Sequence, residues 1–355
     1  MKALVLSGGK GTRLRPFSYS MPKQLIPIAN KPVLEHILAN LRQLGVEDVG
    51  IVVGDWAPEI AELLGDGGRH GMRITYIPQD APSGLAHCVS ISREFLGDDD
   101  FVMYLGDNML PQGVTEIAEE FRERRPSAHV VVHKVADPRS FGVAQVDAEG
   151  RVTHLAEKPE RPVSDLAMIG VYFFTSAVHE AVAAIGPSAR GELEITDAIA
   201  WLVDRGDRVT ASEYAGYWRD TGRVDDVLDC NRELLDALVA RVDGEVDATS
   251  ELVGEVVLEA GARVVRSRIH GPAIVGAGTV IEDSWVGPHT AIGRDCRLSD
   301  ARLGHSIALD GATVRHVHGI HGSLIGRAAV VSTADTGPGR HRLLVGDHTT
   351  VEVAA

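Results

Sequence analysis

The sequence predicts an α/β domain with a mixed, mostly parallel sheet, followed by a parallel β-helix of the hexapeptide type. Three observations carry this. Residues 1 to about 240 alternate short β-branched apolar runs with amphipathic stretches, the pattern of βαβ units. From about residue 250 that alternation gives way to aliphatic residues on a fixed beat. A chain of 355 residues also exceeds what one hydrophobic core usually holds, so two domains are expected.

The runs Ala3–Leu6, Val49–Val53, Ile74–Ile77, Phe101–Leu105 and Val130–Val132 read as buried strands. Between them, Val33–Leu44, Pro58–Leu64, Gly84–Phe95 and Val114–Arg124 gather apolar side chains on one helical face. Gly142–Leu155, turning at Asp147–Gly150, reads as an inserted hairpin. A strand at Met168–Phe174, helices near Ile195–Val203 and Val224–Leu238, and a strand at Val209–Tyr214 complete a domain expected to span 1–240.

The second region, expected over 250–335, places aliphatic residues at Leu252, Leu258, Val264, Ile269, Val275, Ile281, Val286, Ile292, Leu298, Leu303 and Leu309. The steps of 6, 6 and 5 make a 17-residue turn whose first position holds Leu252, Ile269, Val286, Leu303 and Ile320. Each coil of a parallel β-helix would point these corners inward and stack on the next. The slot after Leu309 falls on Arg315 and Ile325 comes one residue early, so the coil is expected to fray near 310–325. A C-terminal tail, 336–355, follows: Ser332–His341 reads as a loop, and Leu343–Val345 with Val351–Val353 as a closing hairpin.

Hydrophobic content of 44% and charged content of 24% suit a soluble globular protein. A net charge of −15 excludes general nucleic-acid binding, which needs a basic face. A local basic pocket for a phosphorylated small molecule is compatible with that balance. Cys88, Cys230 and Cys296 lie far apart with no C-x-x-C pair, so neither a disulfide framework nor a zinc site is indicated. There is no signal-peptide pattern and no apolar run long enough for a membrane span, so a cytoplasmic protein is expected.

Chemistry concentrates in Ser7-Gly-Gly-Lys-Gly-Thr-Arg-Leu-Arg-Pro16, which follows the first strand. Gly8, Gly9 and Gly11 leave no side chain between main chain and ligand, and the amides of that turn, with Thr12, can form a concave anion site. Arg13 and Lys23 would complete it. The spacing is neither that of a P-loop nor of a G-x-G-x-x-G dinucleotide turn. Asp107 ends the Phe101–Leu105 run, at the edge where open α/β sheets bind ligands, and its carboxylate suits Mg²⁺. Gln79 carries both a donor and an acceptor for a pyrimidine edge, and Gly84-Leu85 opens the next helical stretch where backbone could approach the base. Lys158 precedes Pro159 and is expected in an extended backbone.

These motifs together resemble the sugar-phosphate nucleotidylyltransferases, and most of all the long-form glucose-1-phosphate thymidylyltransferases that carry a C-terminal β-helix. The likeness runs through Gly8–Pro16, Pro22–Pro27, Gln79…Gly84–Ala86, Leu105–Asn108, Phe141-Gly142…Glu157–Pro159, Gly170–Tyr172, Gly191–Asp197 and Trp218–Gly222, in family order. It implies a Rossmann-like nucleotidyltransferase domain and a left-handed β-helix. It also implies transfer of a nucleotidyl group from dTTP to glucose 1-phosphate, with Mg²⁺, giving dTDP-glucose and pyrophosphate. In that reading Arg13, Lys23 and Asp107 are catalytic, and Asp220 joins Asp107 on the metal. Glu157 takes sugar hydroxyls, Lys158 and Arg190 the sugar phosphate, Gly142 allows close approach, and Tyr172 offers its ring or hydroxyl at the sugar's edge. Glu194 and Asp197 read equally well as carboxylates at a helix N-terminus.

Three alternatives stay open at the level of sequence. The same chemistry could use UTP or another sugar phosphate, since thymine and uracil differ by one methyl, worth ~1–3 kcal/mol. His289 and His305 could serve an acyltransferase in the coil, although H-x-H-x-x-H at His316, His318 and His321 is too loose for a metal motif. The chain could be a non-catalytic regulatory subunit, although such a subunit would be expected to lose the charged residues that are present here. A homo-oligomer is expected, because β-helices expose flat faces.

Overall fold

The computed structural model describes residues 1–9, 11–333 and 347–352. The chain divides into two compact units, one of Met1–Lys10 with Leu34–Arg219, the other of Gly11–Val33 with Asp220–Ala355.

The first unit is built on a nine-stranded mixed sheet. Lys2–Ser7 runs parallel between Asp48–Val53 and Phe101–Leu105, and Arg73–Pro78 extends the parallel side beyond Asp48–Val53. The three inner strands are rich in apolar residues because both their faces are covered, and Leu4, Val5, Val49, Ile51, Phe101 and Val102 are fully buried, whereas Arg73–Pro78 is largely exposed. Leu166–Phe174 then reverses direction beside Phe101–Leu105 and also pairs with Ala128–Lys134. Its register shifts between Met168 and Tyr172, a bulge that contains Gly170 at φ +77°. The hairpin Gly142–Val146 and Val152–Glu157 closes this side, and Val209–Glu213 pairs with Ala128–Lys134. Each strand and helix read from periodicity is present within a few residues, the 84–95 stretch as two short helices, Leu85–Ile91 and Arg93–Leu96. A further helix, Val178–Ala184, lacked a clear sequence signal.

In the second unit, three parallel sheets of six, six and five short strands stack coil on coil from Arg241–Val242 to Val330–Ser332. This is the left-handed β-helix, with Val264, Ile269, Val275, Ile281, Val286, Ile292, Leu298 and Leu303 in its core. The expected fraying near 310–325 is corrected. Ile292 pairs with Ala308 and Leu298 with Val314, one residue short of the beat, and Leu303 with Ile320 restores it. A residue is dropped at the 303–308 corner and regained before Ile320, so Val314, Ile320 and Ile325 still fill inward slots. The segment Gly11–Val33 is bonded onto this unit. Asn231, on the helix Val224–Asp236, accepts from Ala29 N at 2.9 Å and donates to the His289 carbonyl at 3.2 Å. Asn30 donates to the Ile292 carbonyl at 2.6 Å.

The loop read over Ser332–His341 and the hairpin strand at Leu343–Val345 lie outside the described residues but for Ser332 and Thr333. Among the described residues no helix is long and apolar enough to cross a membrane.

Candidate active site

In the first unit, Lys2–Ser7 delivers Gly8 and Gly9 at the carboxyl end of the parallel strands. A Cβ on Gly8 would lie 2.8 Å from Gln79 Oε1, so the bare backbone there is what lets the Gln79 amide sit over the turn. Gln79 follows Arg73–Pro78, and its Nε2 lies 3.1 Å from His87 Nδ1 and 3.3 Å from Cys88 Sγ. Burial pushes the Cys88 thiol up to about 12, so it stays protonated and packs rather than reacts. Gly84 has φ +105° and ψ 168°, a conformation essentially reserved for glycine. A Cβ there would meet Leu193 O at 2.3 Å, and the segment is tied down by Leu193 N→Ser83 O and Ala86 N→Leu193 O. The glycine is needed for this backbone contact, whatever ligand Leu85 meets.

Asp107 follows Phe101–Leu105 as expected, and the structure adds its support. The Asn108 amide donates to Asp107 Oδ1 at 2.9 Å, and Trp218 Nε1 donates to Asn108 Oδ1 at 2.7 Å. Asn108 is buried, and a Cβ on Gly170 would stand 2.9 Å from its Nδ2. The bulge therefore makes room for the side chain that orients Asp107. Asn108 and Trp218 carry no separate signal in the sequence, although they lie within the Leu105–Asn108 and Trp218–Gly222 motifs.

On the opposite edge of the sheet, Glu157 ends its hairpin strand with two cations against it. Lys158 Nζ lies 3.4 Å and Arg190 Nη1 3.6 Å from Glu157 Oε1. Arg190 also meets Glu192 at 2.6 Å and Glu194 at 3.3 Å. Thr196 donates to Glu157 Oε2 at 2.6 Å, which fixes the carboxylate; only its hydroxyl could have signalled this in the sequence. A Cβ on Gly142 would fall 2.4 Å from Met168 Cε, 2.9 Å from Thr196 Oγ1 and 3.1 Å from Glu157 Oε2, so this glycine lets those three side chains pack against bare backbone. Burial raises the Glu194 carboxyl, and burial followed by the charge of Glu157 raises Asp197. Glu194 is 4% exposed and makes no side-chain cap; it accepts from Ser188 Oγ at 2.9 Å. Glu194 stands at the N-cap of the helix Ile195–Asp204 and Asp197 in its first turn, so both are helix N-terminal carboxylates, and Glu194 also belongs to this charged cluster.

Two further findings alter the sequence reading. Lys158 is not extended: its φ is +43°, and its N–H donates to the Phe141 carbonyl at 3.0 Å. Closing the hairpin end onto Phe141 outweighs the preference imposed by Pro159, and such strain in a non-glycine residue costs about 1–2 kcal/mol. Tyr172 is 4% exposed, packed in the core and stacked on Phe174 at 6.1 Å; burial raises its phenol strongly.

The second unit holds Gly11, Thr12, Arg13, Lys23 and Asp220. Gly11 is left-handed at φ +60°, and a Cβ there would press on Ser18 and Lys23 at 3.3 and 3.4 Å. It thereby turns the chain into the short helix Thr12–Leu14 with Thr12 and Arg13 exposed. Arg13 Nη2 lies 3.7 Å from Asp220 Oδ2. A Cβ on Gly222 would stand 2.9 Å from that same Nη2, so a second glycine leaves room for the guanidinium. Among the described residues no three His, Cys, Asp or Glu side chains gather to hold a metal ion. A single carboxylate such as Asp107, held by the Asn108 amide, suits a hard ion whose coordination is completed by phosphate oxygens and water.

A mixed sheet with a glycine turn and a carboxylate at its strand ends, and a charged cluster around Glu157, defines an α/β protein of the kind that binds ligands at its strand ends. Residues 2–237 match the family described as Nucleotidyl transferase, and the chain belongs to that family. It is similar to the glucose-1-phosphate thymidylyltransferase of Streptomyces griseus, 52% identical over 355 residues and 100% of both chains. The enzyme of the same name from Streptomyces antibioticus is 51% identical over 99% of each chain. A solved structure from Bacillus anthracis, described as a glucose-1-phosphate thymidylyltransferase, shares 33% identity with a TM-score of 0.63, covering 68% of this chain and 98% of that one.

Proposed function

We propose that this chain transfers a thymidylyl group from dTTP to α-D-glucose 1-phosphate, giving dTDP-glucose and pyrophosphate. The observation that carries the reading is the sugar-side cluster, in which Lys158 and Arg190 stand against a carboxylate, Glu157, held by Thr196. The full-length likeness to two enzymes of that name supports the substrate pair.

In this reading Lys158 and Arg190 hold the sugar phosphate, and Glu157, fixed by Thr196, accepts sugar hydroxyls. Gln79 and the backbone at Gly84-Leu85 take the base. The amides of Gly8, Gly9 and Gly11, with Thr12, Arg13 and Lys23, take the triphosphate. A phosphate oxygen of the sugar attacks the α-phosphorus; the bond to the β-phosphate oxygen breaks, and pyrophosphate leaves with that electron pair. The nucleophile is already an anion, so no general base is required, and positioning with charge neutralisation does the work. Arg13 stabilises the charge developing on the leaving group, and binding triphosphate draws it from Asp220. Mg²⁺, held by Asp107 and Asp220, would neutralise phosphate charge when bound. Tyr172 acts by packing beneath the sugar side. Residues 1–240 are thus the catalytic domain; the coil, through Asn231 and Asn30, anchors the segment that bears Arg13 and Lys23. We place the working form as a homo-oligomer.

The test is pyrophosphate release with dTTP, UTP, ATP and GTP against several hexose 1-phosphates. Fastest release is expected with dTTP and glucose 1-phosphate. No release with any pair would leave the non-catalytic subunit standing instead.

A further inference from the structure

The β-helix unit carries a cavity of about 1130 Å³ whose lining includes none of the residues given a part in the proposed reaction. It is lined by Arg232, Trp285, His289, Arg302, His305 and His321, among others. It opens where the 17-residue beat slips: the shortened corner at 303–308 and the compensating segment before Ile320 border it. Regular coils make flat faces, and this is the place where the coil is not regular.

Three imidazoles follow one another here, one per coil, the first pair edge-on at 87° and the second tilted at 39°. The His305 ring centroid lies 6.3 Å from that of His289 and 5.4 Å from that of His321. His289 and His305 hold positive φ, +58° and +46°, and keep it at a cost that glycine would avoid. The Arg302 guanidinium makes no ion pair among the described residues. Arg268, one coil further from Trp285 on the same sheet, is paired with Glu251 at 2.7 Å. The acids facing the imidazoles are few: Asp236 is taken by His289 at 2.8 Å, and Asp229 lies 3.9 Å from Arg232. Burial lowers the His305 pKa, and His321, His289 and Arg232 push it the same way, while Asp229 opposes. The local field favours an added anion, in a chain whose net charge is −15.

Trp285 supplies the flat surface. A Cβ on Gly287 would meet its ring at 2.4 Å, and one on Gly304 would stand 3.8 Å from it, so the indole lies across bare backbone on two coils. Its rotation is restricted before any ligand arrives, which lowers the ordering cost of stacking. A metal is disfavoured, because no three His, Cys, Asp or Glu side chains among the described residues come together to hold one.

We infer that this cavity is a second ligand site, built for a small molecule joining phosphate groups to a planar ring: a nucleoside di- or triphosphate. The phosphates meet Arg302, Arg232 and the imidazoles, and the ring lies against Trp285. The volume suits a ligand of that size. The inference is independent of the reaction proposed above.

Calorimetric titration of the full chain with dTDP tests it, alongside the turnover assay. Two sites per chain are expected in the unaltered protein. The double variant Arg302→Ala/His305→Ala should retain one site and unchanged turnover, with at least a tenfold loss of affinity at the other. In parallel, the His305 ring, followed by NMR, should titrate at higher pH with dTDP bound. A number of sites, one or two, that the double variant leaves unchanged at unchanged affinity would overturn the proposal, whereas a single site lost in the double variant would overturn the proposed reaction and leave this inference standing. A His305 signal that shifts on dilution but not with dTDP would overturn it too, by assigning the face to a second copy of the chain.

Discussion

Replacing Gly84 by alanine gives the sharpest test of how the nucleotide-side segment is held. The native backbone there, φ +105° and ψ 168°, costs an alanine about 1–3 kcal/mol. The added Cβ would also stand 2.3 Å from Leu193 O and 2.6 Å from Leu193 N, with backbone rather than a flexible side chain in the way. Relief requires the 83–86 segment to part from Leu193, losing the bonds Leu193 N→Ser83 O at 2.8 Å and Ala86 N→Leu193 O at 3.0 Å. At about 1 kcal/mol net for each, the total comes to about 4 kcal/mol. Gly45 provides the control: it has φ +71° with nothing within 4 Å of an added Cβ, so alanine there costs only the conformational strain, about 1–2 kcal/mol. Urea unfolding of both variants, followed by tryptophan fluorescence, should show the Gly84 variant less stable by about 2–3 kcal/mol, with KM for dTTP raised. A difference below about 1 kcal/mol would refute the argument that Leu193 dictates this glycine.

Gly142→Ala should lower kcat/KM for the sugar phosphate about 10–100-fold by displacing the Thr196–Glu157 pair, with little loss of stability because Met168 Cε can move; steady-state kinetics and a melting curve separate the two. Trp218→Phe removes the donor to Asn108 and should lower kcat several-fold while weakening Mn²⁺ binding, read by electron paramagnetic resonance, through the loosened Asp107. Asp107→Asn should weaken Mn²⁺ binding more strongly than Trp218→Phe, in the same measurement. Burial lowers the His129 pKa from 6.5 to about 4, and the ring bonds Thr210 at 2.7 Å. The unfolded chain therefore binds that proton first, and stability should fall by about 3 kcal/mol as pH drops from 6.5 towards 4. His129→Gln should flatten that limb in urea unfolding measured across pH.

The parts of this protein that the sequence determines are those carried by local pattern. Short β-branched runs fix the strands, because a strand covered on both faces admits little else. A 17-residue beat fixes the coil, because each corner must be aliphatic to stack. Glycines and charges in contiguous motifs mark the residues proposed to hold phosphate. Tertiary structure decides wherever partners are far apart in the chain. Gly84 is required by Leu193, Asp107 is oriented through Trp218, and Glu157 is fixed by Thr196; none of these pairings has a period to betray it. The same holds for Lys158, whose neighbour argues for extension while the Phe141 carbonyl pulls it left-handed. It holds for the coil beyond Leu303, where one dropped residue breaks the linear beat but stacking restores the inward positions in three dimensions. Local propensity is worth about 1 kcal/mol per residue, and a closing hydrogen bond or a packed backbone contact from a distant segment is enough to override it.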